Sequence, residues 1–125
     1  PVESSEDWQF GYKEIYSDYK DQFTRYDRII ISDEYAQPYI FALFYLKYDP
    51  NNFRQTVARN SVDQWGFSTV SRFGKFEFGK IDKLFSPEQK KSLIFASRNE
   101  EIRGLVPIRT IKFLNGDVAF KVYKQ

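Results

Sequence analysis

The sequence predicts a single α/β domain: a compact sandwich with a mixed sheet, helices packed on that sheet and a C-terminal β-hairpin. Three observations lead to this class. Two short apolar runs, Ile29-Ile30-Ile31 and Leu93-Ile94-Phe95-Ala96, are continuous rather than alternating, as in strands covered on both faces. Helical patterns flank the first of them, an order that favours right-handed βαβ crossovers and a Rossmann-like appearance. Near the C-terminus, Asn115-Gly116 lies between alternating apolar segments and marks a tight hairpin turn. A chain of 125 residues is one domain, large enough to bury a core without disulfides or metal.

Residues 1–7 are polar and acidic and read as a linker or helix lead-in, with Ser4 or Ser5 as N-cap; the α/β domain then occupies residues 8–125. Trp8, Tyr12, Ile15, Tyr19 and Phe23 recur at helical spacing and form one apolar stripe. Gly11 within that stripe costs about 1 kcal/mol against Ala, which points to a close packing contact. The strand Arg28–Ser32 follows, then a buried helix over residues 37–46 with Pro38 in its first turn. A more polar helix is expected from Pro50 to about Ala58. Within residues 59–72, Trp65-Gly66-Phe67 suggests a loop packed by its own rings. Residues 74–78 alternate as a half-buried strand. Ser86-Pro87-Glu88 carries the start signals of a short helix. Residues 93–96 form the second covered strand, and residues 99–104 a turn or one helical turn. In the hairpin, a two-residue type I′ turn pairs Leu114 with Asp117. That register sets Phe113 opposite Val118 and Ile111 opposite Phe120, with Val122 on the same face and Lys112 and Lys121 on the other.

Composition removes several chemistries. The chain has no His and no Cys, which excludes Ser-His-Asp and Cys-His machinery, imidazole metal sites and zinc thiolates. The net charge of +2 is dispersed among acids and predicts no polyanion partner. Asp33-Glu34-Tyr35-Ala36 has bulk where a dinucleotide site needs glycines, so no nucleotide cofactor is expected. No segment approaches the roughly 20 apolar residues of a membrane span. Methionine is absent, even at position 1, and the chain reads as part of a longer polypeptide. Aromatic residues make up 19% of the chain; most fall at helix or strand periodicity and belong to a core.

Few residues suggest a site. Asp33-Glu34 is a paired acid directly after a core strand, where α/β proteins place ligands. It can hold a cation or act as acid and base; equally, it can be a charge pair favoured by the dipole of a following helix. Tyr35, Gln37, Trp65 and Phe67 are candidates for a shallow carbohydrate groove or a docking surface, and the two loop rings for a plug on the open sheet edge. Arg54, Arg59, Arg72, Lys75 and Lys80 interleave with aromatics, as in single-strand nucleic-acid binders. Asp63, Glu77 and Asp82 are interspersed among them, which favours a solvated face and no nucleic-acid partner.

Five motifs carry a family resemblance: WQFGYKE at residues 8–14, YDRIIIS at 26–32, QPYIFALFYLKYDP at 37–50, WGFSTVSRFGKFEF at 65–78 and IRTIKFLNGDVAFKVY at 108–123. Together they resemble the C-terminal soluble domain of prokaryotic membrane glycosyltransferases of the dolichyl-phosphate-mannose protein mannosyltransferase type. The resemblance implies an extracytoplasmic domain attached to a membrane portion of the same polypeptide. It implies transfer of a sugar, mannose in that family, from a polyprenyl-phosphate carrier to a glycan or protein acceptor. In such enzymes the catalytic acids and any divalent metal belong to the membrane portion. Asp33 and Glu34 therefore inherit no catalytic role, and no cofactor is expected in this segment. The alternative is a stand-alone α/β binding or interaction module with no enzymatic parent.

Overall fold

The computed structural model describes residues 5–35, 57–59 and 70–125. In chain order these form α1 (Ser5–Tyr19), a 3₁₀ helix (Lys20–Arg25), β1 (Arg28–Ser32), β2 (Val57–Arg59), β3 (Val70–Phe73), β4 (Phe76–Gly79), α2 (Ile81–Leu84), β5 (Ser92–Ser97), β6 (Arg109–Lys112) and β7 (Val118–Lys124). The expected helix over residues 37–46 and the loop Trp65-Gly66-Phe67 lie outside the described residues. One mixed sheet joins the strands in the order β2-β3-β4-β1-β5-β7-β6. β1 sits at its centre and runs parallel to both neighbours, with Ile31 beside Phe78 on one side and Phe95 on the other. The remaining pairings are antiparallel.

The two apolar runs occupy the middle of this sheet because both of its faces are covered there. On one face, Ile29, Ile31, Leu93, Phe95, Phe120 and Val122 pack beneath Tyr12, Ile15, Tyr16 and Tyr19 of α1. Edge-on ring contacts tie the layers together, with Tyr19 against Phe95 at 5.1 Å and Phe23 against Phe76 at 5.3 Å. On the other face, Ile30, Ile94 and Tyr123 meet Ile81, Leu84, Phe85 and Ile102. Lys75 fixes the end of the 3₁₀ helix by donating from Nζ to the carbonyls of Phe23 (2.6 Å) and Tyr26 (3.1 Å).

Gly11 lets α1 approach the sheet. A Cβ there would lie 3.3 Å from Phe120 Cε2 and 3.4 Å from Ala119 Cβ. Gly11→Ala exchanges a helix-propensity gain of about 1 kcal/mol for this crowding and should be close to neutral. Gly11→Val should destabilise by about 1–3 kcal/mol through overpacking. Thermal unfolding of the two variants checks this; a Val variant as stable as the parent would mean α1 is not seated on the hairpin.

Several expectations need correction. The hairpin has a three-residue loop in place of a two-residue type I′ turn. Phe113 and Asp117 flank it, with Phe113 N–H donating to Asp117 O at 2.8 Å and Gly116 N–H to Phe113 O at 3.0 Å. Gly116 alone adopts positive φ (+93°), whereas type I′ demands it at both central residues. Ile111 does face Phe120, but the register then shifts, and Val118 pairs with Lys112 instead of Phe113. The extra residue turns Ala119 into the core and leaves Val118 half-buried. Val57 and Ala58, expected at the end of a helix, belong to β2. Ser86-Pro87-Glu88 forms a turn, and the helix of that region is α2, five residues earlier in its start.

Candidate functional site

The three parallel strands end at the same edge of the sheet. From there the next described strand after β1 lies toward the β2 edge, while β5 leads toward the β6 edge. The gap between the carboxyl ends of β1 and β5 is thus a topological switch point, where open α/β sheets form a crevice. A cavity of about 540 Å³ opens there, lined by Glu34 after β1, residues 80–83 after β4, and residues 99–101 after β5.

Its polar groups are held by one another. Glu34, half-buried, accepts hydrogen bonds from the hydroxyl of Ser97 and from Asn99 Nδ2 (2.6 Å). Ser97 is fully buried, and its Oγ accepts in turn from the Asn99 main-chain N–H at 3.3 Å. Glu100 receives the main-chain N–H of Ile81 on Oε2 (2.9 Å) and that of Ser97 on Oε1 (3.1 Å). Burial pushes the Glu100 carboxyl up, but the Ser32 hydroxyl and the Ile81 and Ser97 N–H groups outweigh it, and the net pKa lies below the usual value of 4.5. Ser32 also accepts from the Glu34 N–H at 3.3 Å, so one buried hydroxyl links both acidic loops.

Farther from the opening, Arg28 anchors the wall formed by α2. Its guanidinium makes a two-pronged pair with Glu77, both contacts at 2.7 Å, and donates to Leu84 O at 2.9 Å. The end of α2, at Leu84, is thereby fixed relative to β1 and β4.

Of the residues singled out by sequence, Asp33 and Glu34 separate: Asp33 is exposed, while Glu34 turns toward the exit of β5. Tyr35 acts as a strut beside the crevice. Its hydroxyl donates to Ala119 O (2.7 Å) and accepts from Arg98 N–H (3.2 Å), and its ring stands edge-on to Phe113 and Phe120. Gln37, Trp65 and Phe67 lie outside the described residues. Sequence reasoning missed Ser97, Asn99 and Glu100, and it noted Lys80 and Asp82 only as members of a mixed-charge stretch, not as a wall of this crevice. The signal was present, because Ser97 through Glu100 follow a covered strand just as Asp33-Glu34 do. Among the described residues, no group of three or more Asp or Glu side chains is placed to hold a metal ion.

Fold and site together define a class: a mixed α/β domain with a polar, carboxylate-rich crevice at its switch point. Comparison of the chain with protein-family models, with curated proteins and with solved structures finds no match.

Proposed function

We propose that this chain is a non-catalytic soluble domain of a polytopic membrane glycosyltransferase, positioned on the extracytoplasmic face and working with the membrane domain of its own polypeptide. The parent would transfer a sugar, mannose by resemblance, from a polyprenyl-phosphate carrier to an acceptor, with any divalent metal acting in the membrane portion. The five ordered motifs support the parent. The observation that carries the non-catalytic role is the condition of the crevice carboxylates. A general acid near neutral pH needs a raised pKa, whereas hydrogen bonds from Ser32, Ile81 and Ser97 outweigh burial and hold Glu100 below its usual value. Glu34 is fixed in place by hydrogen bonds from Ser97 and Asn99. Fixed in this way, the two side chains are placed to orient a bound molecule. Among acceptor selection, covering the active site and supporting the fold, the crevice favours acceptor selection.

The purified domain, incubated with polyprenyl-phosphate mannose and candidate acceptors, should show no turnover above buffer. The complete parent chain should transfer mannose, and removing this domain should reduce that transfer. Turnover by the domain alone would overturn the reading. So would a parent gene lacking multiple spans of about 20 apolar residues, which would favour a stand-alone binding module.

A further inference from the structure

We infer that the outer edge of β6 takes on a further strand, supplied by an extended acidic segment of a partner protein. β6 is the last strand of the sheet. A last strand turns alternate main-chain N–H and C=O groups away from its neighbour, ready to pair with another chain. The large apolar side chains that stand exposed among the described residues all flank it. Val106 (83% exposed) and Ile108 (50%) precede the strand, and Leu114 (62%) follows. Scattered singly they would mean little; gathered along one open edge they mark a contact surface.

The two faces of β6 differ. Toward α1, Ile111 is buried and Arg109 is engaged, with Asp18 at 2.7 Å, Glu14 at 3.4 Å and the Tyr19 ring at 5.6 Å. Thr110 and Lys112 alternate onto the opposite face, where Thr110 stands beside Lys121 of β7. Lys112 is exposed, and Lys121 meets only the far more exposed Glu101, at 3.9 Å, among the described residues. From residue 102 to residue 114 the chain carries Arg103, Arg109 and Lys112 and no acid. An added strand thus finds main-chain groups to pair, apolar side chains to cover and cations to neutralise, which fits alternating acidic and apolar residues. A second copy of this chain fits less well, because its own β6 brings the same cations and no acid. Pro107 and Lys112 are also the kinds of residue that keep open edges from pairing with themselves. The assignment goes beyond the glycosyltransferase reading and does not depend on it.

The test is amide NMR titration of the domain with the acetylated, amidated peptide Thr-Val-Glu-Val-Glu-Val-Thr. One control peptide carries Lys in place of both Glu; another carries Pro in place of the central Val, which removes an N–H that the edge would pair. The acidic peptide should cause saturable shifts in residues 106–114 and slow amide exchange along β6. The lysine peptide should bind about tenfold more weakly or worse, and the proline peptide should cause no saturable shifts. Lys112→Glu, at an exposed position, should weaken the acidic peptide about threefold or more. Should that variant fail to fold, Ile108→Ser must show the same direction of loss. The inference fails if the acidic and lysine peptides bind alike, if the shifts map away from β6, or if a folded variant binds like the parent. Sedimentation of the domain alone should show a monomer; a dimer with β6 amides protected would make a second copy the occupant and overturn the assignment. Shifts at β6 with phosphatidylserine vesicles but not with the acidic peptide would overturn it in favour of a lipid surface.

Discussion

Replacing Phe120 by Ala should cost about 3–5 kcal/mol, the range for deleting a fully buried ring. Phe120 is wholly inaccessible and joins three elements. Its ring lies 5.2 Å from Tyr12 of α1 and 5.4 Å from Tyr35 at the exit of β1, while its backbone pairs with Ile111 and Ser97. Gly11 adds the close approach of the helix backbone. Removing the ring therefore empties the junction on which α1, the hairpin and the Tyr35 strut all rest. A domain of this size has about 5–15 kcal/mol of stability in total, so the variant should unfold at a much lower urea concentration. An unchanged midpoint would mean that the hairpin is not packed beneath α1.

The second large effect is expected at Glu100. A Gln in its place offers one acceptor oxygen and one amide donor, and the donor would face a main-chain N–H that now meets a carboxylate oxygen. Loss of charge-assisted hydrogen bonds to Ile81 and Ser97 should cost about 2 kcal/mol at this half-exposed position. The pH dependence has a definite sign. Because the folded-state pKa of Glu100 is depressed below 4.5, its contribution is complete above the unfolded value and is lost as pH falls through the folded one. The stability gap between parent and Glu100→Gln should thus be widest near neutrality and close in acid. A gap that stayed constant from pH 7 to pH 3 would remove the charge from the explanation.

What the sequence made legible follows from how many constraints each element obeys. Ile29-Ile30-Ile31 and residues 93–96 were readable because burial on both faces leaves no place for a polar residue. The helical stripe was readable through Tyr12, Ile15 and Tyr19 of α1 and Phe23 of the 3₁₀ helix, all buried as its spacing predicts. The hairpin was legible at Ile111 opposite Phe120 but not at its turn. Asn-Gly suits both a two-residue and a three-residue loop, and only backbone φ at Asn115 separates them. α2 was hidden because its four residues are too few to establish a period, while Ser86-Pro87-Glu88 imitates a helix start in what is only a turn.

The site was half legible for a related reason. Asp33-Glu34 drew notice as adjacent acids after a strand, yet adjacency in sequence did not make them partners. Glu34 finds its partners at Ser97 and Asn99, 63 and 65 residues away. Only the parallel pairing of β1 with β5 brings those loops together. Glu100-Glu101 is equally an acid pair, set three residues beyond β5, and its first member proves the better anchored.

Glu100 is held as a carboxylate by the main-chain N–H groups of Ile81 and Ser97, a state unsuited to a general acid near neutral pH. Direct titration of the Glu100 side-chain carboxyl by carbon-detected NMR, in the folded domain, tests it. The expected midpoint lies below the usual 4.5, with Glu100→Gln identifying the resonance by its disappearance. A Glu100 that titrates above the ordinary carboxylate range would be a poised acid, and the crevice would then be a reacting surface instead of a binding one.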